Sequence, residues 1–165
     1  MRDSSCLIPQ VSRPLQGGLL ATTRFNSMKG LGADKPYWDS LLDGKVRLQQ
    51  CAQCRKWNWP AVFRCGDCGS WEHSWQEVEA AGKIFSWTRC WYDFGGPREY
   101  TAPFVSVVVE LNNNAKTRLL GVLEQDDQEV RIGDPVTGRI AFCTFDNEQI
   151  PALRWTLNRH QEQGL

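Results

Sequence analysis

From Pro103 onward apolar residues recur at every second position: Val105, Val107, Val109 and Leu111 share one face. That period belongs to a half-buried strand. Asn112-Asn113-Asn114 follows with turn chemistry, and Thr117 to Leu123 is the return strand. Upstream, Val78 to Cys90 alternates as well, with a bulge or bend expected at Gly82. Phe85 and Trp87 then face one side, and Ile84, Ser86 and Thr88 the other. Gln125 to Glu129 is an acidic loop, after which Ile132-Gly133-Asp134-Pro135 turns into a strand from Val136 to Phe145. About five strands with a long insertion after the first predict a small Greek-key barrel of the OB type over residues 76–147. Residues 148–165 form a C-terminal tail, in which Leu153, Trp155 and Leu157 at spacing two offer a short strand before a polar end.

Ahead of the barrel the period changes. Asp34 is placed to cap a helix, Pro36 suits its first turn, and Tyr37, Trp38, Leu41 and Leu42 form its apolar face. Gly44 ends it, and Val46-Arg47-Leu48 alternates as a strand. Residues 1–33 hold Pro9, Pro14, Gly17, Gly18, Gly30 and Gly32 without sustained periodicity, and read as an extended or disordered arm. Its one apolar patch is Gly18-Leu19-Leu20-Ala21.

The chemistry is concentrated in residues 34–75. Cys51-Ala-Gln-Cys54 and Cys65-Gly-Asp-Cys68 stand ten residues apart, a spacing that suits one tetrahedral zinc held by two turns. Gly69 lets the second turn reverse sharply, so that backbone N–H groups point at sulfur. In the first turn Arg55 and Lys56 take that place. Two disulfides or a dithiol redox pair are the competing readings. A redox motif needs one such pair at a helix start, whereas here two matched pairs flank an aromatic hairpin. With four thiolates the zinc has no open position, so it is structural. Between the pairs, Trp57, Trp59, Pro60, Val62 and Phe63 either pack on the zinc site and helix or form a binding surface.

Composition narrows the partners. Nineteen basic and nineteen acidic residues cancel, so no overall field draws the protein to nucleic acid or anionic lipid. Residues 76–145 carry seven basic against ten acidic side chains. That balance argues against the alternative reading, a single-stranded nucleic-acid-binding zinc-ribbon and OB-fold protein, which needs a basic groove. Cys6, Cys90 and Cys143 remain unpaired beside a zinc site, and with no secretory or membrane-spanning signal this predicts a cytoplasmic protein. Neither His73 nor His160 stands near a recognisable nucleophile, and nothing adjacent to Cys90 or Cys143 activates a thiol. The segment from Trp91 to Tyr100 is too long and aromatic for a simple turn. Its Trp91, Tyr92, Phe94, Arg98 and Tyr100 have the composition of an interface hot spot, or else close the barrel mouth.

Over residues 34 to 145 the chain resembles a family that joins a rubredoxin-like zinc ribbon to an acyl-CoA-associated OB-fold domain. The resemblance rests on an ordered set: Pro36-Tyr37-Trp38, Cys51-x-x-Cys54, Trp59-Pro60, Cys65-x-x-Cys68-Gly69, Gly82-x-Ile84, the Pro103-led valine strand, and Ile132-Gly133-Asp134-Pro135-Val136. Members serve as small partner subunits of thiolase-fold enzymes. The resemblance therefore implies a non-catalytic accessory subunit of a hetero-oligomeric thiolase, acyltransferase or retro-aldolase, sharing an acyl-CoA substrate with its partner. Steroid or other bulky acyl-CoA side-chain breakdown is the setting it favours. Residues 1–33 fall outside the pattern.

Overall fold

The computed structural model describes residues 32–112, 117–124, 129–145 and 147–158, all within one compact unit, Leu31–Leu165. The arm up to residue 31, the centre of the asparagine turn, most of the acidic loop and the tail with His160 lie outside the described residues. Helix α1 runs Lys35–Leu42 with Pro36 in its first turn, and Gly44 follows it in the left-handed conformation, φ 73°. Asp34 occupies the cap position, but its carboxylate makes no cap hydrogen bond. It accepts instead from the Trp38 indole N–H at 3.0 Å and from the Gly32 amide at 3.1 Å. Tyr37 and Leu41 are buried, and the Tyr37 ring lies 4.4 Å from that of Trp59.

Three short strands follow: β1 (Arg47–Cys51), β2 (Trp57–Asn58) and β3 (His73–Glu77), in the order β2-β1-β3 and antiparallel throughout. The expected aromatic hairpin between the cysteine pairs is built differently. β2 returns along β1, so the first cysteine pair is itself the hairpin turn. Gln49, buried on β1, gives its amide N–H to the Val62 carbonyl at 2.9 Å and accepts from the Val62 N–H at 3.0 Å. One side chain thereby pairs backbone groups that a strand ladder leaves over.

The barrel closes in the order β4-β5-β6-β8-β7, from β4 (Ala81–Cys90), β5 (Phe104–Leu111), β6 (Arg118–Leu123), β7 (Pro135–Phe145) and β8 (Glu148–Leu157). Among the described strands only β6 and β8 pair in parallel. The valine alternation of β5 is realised as a strict inside–outside pattern, with Val105, Val107, Val109 and Leu111 all buried. Two expectations are corrected. The bulge in β4 lies between Ile84 and Ser86 rather than at Gly82, making Phe85 the extra residue. Trp87 consequently stands opposite the inward Val107, not on the face shared with Phe85. Gly82 serves close approach, since a Cβ there would sit 2.2 Å from the Glu110 carbonyl oxygen.

The second is the C-terminal tail, most of which is strand β8. This full-length strand is the barrel's closing member, pairing with β7 from Phe145↔Glu148 to Val136↔Leu157. Pro151 is tolerated because β6 reaches β8 only at Arg154 and Trp155, so no neighbour on that side needs a proline N–H. Trp155 is completely buried at the barrel centre and faces Gly138 of β7. A Cβ on Gly121 would come 2.4 Å from its Nε1, and one on Gly138 2.9 Å from its ring. The two glycines make the space that the indole fills.

The ribbon and helix share one core with the barrel: Tyr37, Leu41, Val46 and Leu48 join Ile84, Leu119, Leu153 and Trp155, with Trp57 and Trp59 packed against them. Among the described residues no helix is long and apolar enough to cross a membrane.

Trp155→Ala should lower the free energy of unfolding by about 3–5 kcal/mol in urea titration, the range for emptying an aromatic site in a core. Gly121→Val, which forces a branched side chain into the indole, should be as damaging or yield no folded protein. Leu120→Ser, whose side chain is 70% exposed on the same strand, should change stability by less than about 1 kcal/mol.

Candidate metal centre and aromatic loop

Two turns of the same construction bring the four cysteines together. In the first, the Cys51 N–H donates to the Lys56 carbonyl at 2.8 Å and the Arg55 N–H to the Cys51 carbonyl at 3.0 Å. In the second, the Cys65 N–H donates to Ser70 at 2.8 Å and the Gly69 N–H to Cys65 at 2.9 Å. The equivalence reaches the backbone angles: Arg55 has φ 65° and Gly69 φ 75°. Arg55 thus adopts the left-handed conformation that the second turn gives to glycine.

All four Sγ atoms lie within 4.8 Å of one another, with Cys51 to Cys68 at 3.5 Å and Cys54 to Cys65 at 3.6 Å. A tetrahedron of Zn–S bonds of about 2.3 Å has edges of about 3.8 Å, so the residues fit the ion. All four thiols are free, with contacts too long for disulfides. The backbone N–H of Cys54, helped by that of Gln53 and by neighbouring thiols, pulls the Cys51 thiol down to about 6. The N–H groups of Cys68 and Asp67 lower Cys65 in the same way. The Lys56 amide also favours the Cys54 thiolate, but desolvation and the surrounding sulfurs outweigh it and push Cys54 up to about 12. Four sulfurs this close ionise together only around a cation. This is the site of one structural zinc, which Cys51, Cys54, Cys65 and Cys68 would hold. His73, opposite Cys51 on β3, contacts the Phe63 carbonyl through Nε2 at 3.1 Å, which fastens the segment before Cys65.

The loop from Trp91 to Tyr100 divides into a tip and a base. Trp91, Tyr92 and Phe94 are 75%, 69% and 82% exposed, and Tyr92 and Phe94 meet edge to face at 5.1 Å. The Asp93 carboxylate accepts from the Gly95 N–H at 2.8 Å, which shapes the turn of the tip. The base lies on the β7–β8 hairpin. The Arg98 N–H donates to the Thr144 carbonyl at 3.2 Å, and the Thr144 N–H donates to the Glu99 carboxylate at 2.8 Å. Tyr100 is half-buried, receives the Cys143 S–H at 3.6 Å, and has the Arg154 guanidinium 4.6 Å from its ring centroid. Burial pushes the Tyr100 hydroxyl up to about 12 and raises the Cys143 thiol, leaving neither poised to react. Burial opposes the charge on Glu99, but the Thr144 amide and Arg154 outweigh it and hold that carboxyl below its ordinary range.

The five loop residues singled out in the sequence are therefore not one cluster. Trp91, Tyr92 and Phe94 project, whereas Tyr100 and the Arg98 backbone fasten the loop, with the Arg98 side chain reaching Asn147 at 3.4 Å. Glu99, Thr144 and Arg154, which do the fastening, carry no sequence signal of their own.

The fold and the metal site together define a protein in which a four-cysteine zinc ribbon is joined to an OB-fold barrel. Residues 38–73 match the rubredoxin-like zinc ribbon domain of ChsH2, and residues 75–141 match the ChsH2 C-terminal OB-fold domain. The chain belongs to the family built from these two ChsH2 domains. Among solved structures it is similar to one described as an Ltp2-ChsH2(DUF35) aldolase, at 21% identity and a TM-score of 0.64, over 77% of this chain and 95% of that one. A DUF35-family protein of unknown function from Sulfolobus solfataricus is similar at 19% identity and a TM-score of 0.53, over 84% of this chain and 93% of that one. Both likenesses are of fold. No curated protein matches the chain in sequence.

Elemental analysis of folded protein should give one zinc per chain, and Cys65→Ser should lose both the metal and the ribbon's structure, because the site forms with the fold. Arg55→Gly should keep the full zinc complement and not lower the melting temperature, since glycine takes φ 65° without strain. Gly69→Val should cost about 1–2 kcal/mol, as it places a branched residue at φ 75° and presses a Cβ against the Arg64 guanidinium at 2.9 Å. Equal effects of these last two substitutions would contradict the assignment of the turns.

Proposed function

We propose that this chain is a non-catalytic subunit of a hetero-oligomeric enzyme that acts on acyl-CoA thioesters, in which a thiolase-fold partner supplies the nucleophile and the acid–base groups. The observation that carries the reading is the pair of adjoining ChsH2 domain matches, supported by the likeness over nearly the full length of a chain in an Ltp2-ChsH2 aldolase. The chain's own chemistry agrees. Its zinc is enclosed by four thiolates with no position for substrate, and burial disfavours ionisation of Cys143 and of the half-buried Tyr100 beneath the loop. Retro-aldol cleavage of a bulky acyl-CoA, such as a steroid side chain, is the reaction we favour over thiolysis or acyl transfer. Its place is the cytoplasm.

The contact with the partner is assigned to the loop tip. Three large aromatic side chains exposed side by side on a chain of zero net charge favour self-association unless something covers them. Their turn is preformed, so little ordering entropy opposes docking. Arg98 provides a polar contact at the edge of the patch.

Two measurements test this. Co-expressed with a thiolase-fold partner, the chain should co-purify as a complex that turns over an acyl-CoA, whereas the isolated chain should show no turnover. Phe94→Ala and Trp91→Ala should each weaken the complex by about 2 kcal/mol, or roughly thirtyfold, with zinc content and urea stability unchanged. Tyr100→Ala should lower stability as well as affinity, because Tyr100 holds the base. Turnover by the lone chain defeats the subunit reading, and unaltered affinity in both tip variants defeats the assigned contact.

A further inference from the structure

The four cysteines divide by exposure as well as by turn. Cys51 and Cys65, the first of each pair, are buried, whereas Cys54 and Cys68 are exposed. The short sulfur contacts run crosswise between the turns, Cys68 to Cys51 at 3.5 Å and Cys54 to Cys65 at 3.6 Å. Each contact therefore joins one exposed sulfur to one buried sulfur of the opposite turn. Oxidation to a disulfide needs that arrangement: an accessible sulfur that the oxidant reaches, and a sheltered one placed to resolve the product. To form either bond the sulfurs must close by about 1.5 Å.

The turns are held in place by more than sulfur. Gln49 binds both backbone groups of Val62, His73 Nε2 meets the Phe63 carbonyl, and the Ala52 N–H donates to the Glu72 carbonyl at 3.0 Å. The Lys56–Asp67 ion pair spans from one turn to the other. Crosswise bonds would close separations of 17 and 11 residues and tie the turns together where the metal ties them. A bond within each C-x-x-C would close only a very short loop and leave the turns unconnected.

We propose that the four-cysteine site is a peroxide-responsive crosslink: oxidation frees the zinc, closes Cys51–Cys68 and Cys54–Cys65, and leaves the ribbon folded. The exposed thiolate attacks one oxygen of hydrogen peroxide and keeps it as S–OH, while the O–O bond breaks and hydroxide leaves. The buried thiolate of the opposite turn then attacks that sulfur. The S–S bond forms, the S–O bond breaks, and a second hydroxide leaves. Two thiolates lose two electrons, the peroxide gains them, and two protons from solvent turn both hydroxides into water. A second peroxide closes the other pair, and the metal departs as Zn2+ with its oxidation state unchanged. The locked ribbon still carries Trp57 and Trp59 into the common core and onto Tyr37. The device rests on the metal site alone and is independent of the function proposed above.

The test treats the zinc-loaded full chain with hydrogen peroxide and follows zinc release with a chromogenic chelator. One zinc should appear for about two peroxides consumed, and the product should weigh about 4 Da less than the reduced, metal-free chain. Fragment-ion mapping of the alkylated product should place both bonds crosswise. Far-UV circular dichroism should show the ribbon kept in the oxidised chain and lost in a chain stripped of zinc under reducing conditions. Dithiothreitol with added zinc should restore the starting mass and metal content. Cys90→Ser, at a half-buried cysteine outside the site, should match the wild type in every readout. The proposal is overturned by any other pairing, by sulfinic acid at Cys54 or Cys68, or by zinc retained at millimolar peroxide. It also falls if the oxidised ribbon is as unfolded as the stripped one, if dithiothreitol restores nothing, or if Cys90→Ser keeps its zinc.

Discussion

Four sulfur atoms held within 4.8 Å of one another are the constraint on which the N-terminal half depends. The ribbon has one strand of two residues and two of five, too little sheet to bury the surface that independent folding requires. Metal binding supplies folding free energy on the order of 10–16 kcal/mol in such modules. That energy reaches beyond the turns. β1 carries Leu48 into the common core, and the segment after the first turn carries Trp57 and Trp59, whose ring meets Tyr37 of α1. The metal site thereby helps to hold the helix against the barrel.

How much of this the sequence disclosed depends on the range of the interaction concerned. The metal site was legible because its determinants are local: two short cysteine spacings and the residues that let each turn reverse. The valines of β5 were legible because a strand with one buried face writes its period into the chain. β8 was hidden for the opposite reason. Its hairpin with β7 is local, but its place as the closing strand rests also on a parallel pairing with β6 and on two glycines, Gly121 and Gly138, distant in sequence from the Trp155 they accommodate. Pro151 then disguises the strand locally. The bulge was misplaced by the same logic, since Gly82 signals a close contact with Glu110 across the sheet rather than an extra residue.

The aromatic loop shows why composition alone does not settle a binding site. The residues named for it divide between a fastened base and an exposed tip. Glu99 and Tyr100 anchor the loop on the β7–β8 hairpin, which is the closing role, while Trp91, Tyr92 and Phe94 stand in solvent. These roles support one another physically. A projecting aromatic group makes an effective anchor only if its backbone is already ordered, since otherwise the entropy of fixing the loop consumes much of the contact free energy. The base that looks merely structural is what orders the backbone of the tip.

Tyr100 joins this loop to the cleft beside α1. One face of the residue belongs to the anchored base, through Cys143 and Arg154, and its ring also walls the cleft together with Tyr37 and Trp38. Tyr37 in turn touches Trp59, which returns from the first zinc turn. Packed aromatic contacts therefore run from the ribbon to the helix, and the cleft separates them from Tyr100 at the base of the exposed tip. Coupling requires that the elements along such a route have alternative arrangements, and packing alone does not provide them. The fixed parts here are the zinc turns and the barrel core. The cleft is bounded on one side by the base of a loop held through a few hydrogen bonds. Any group seated against Tyr100 bears directly on the residues that orient Trp91, Tyr92 and Phe94.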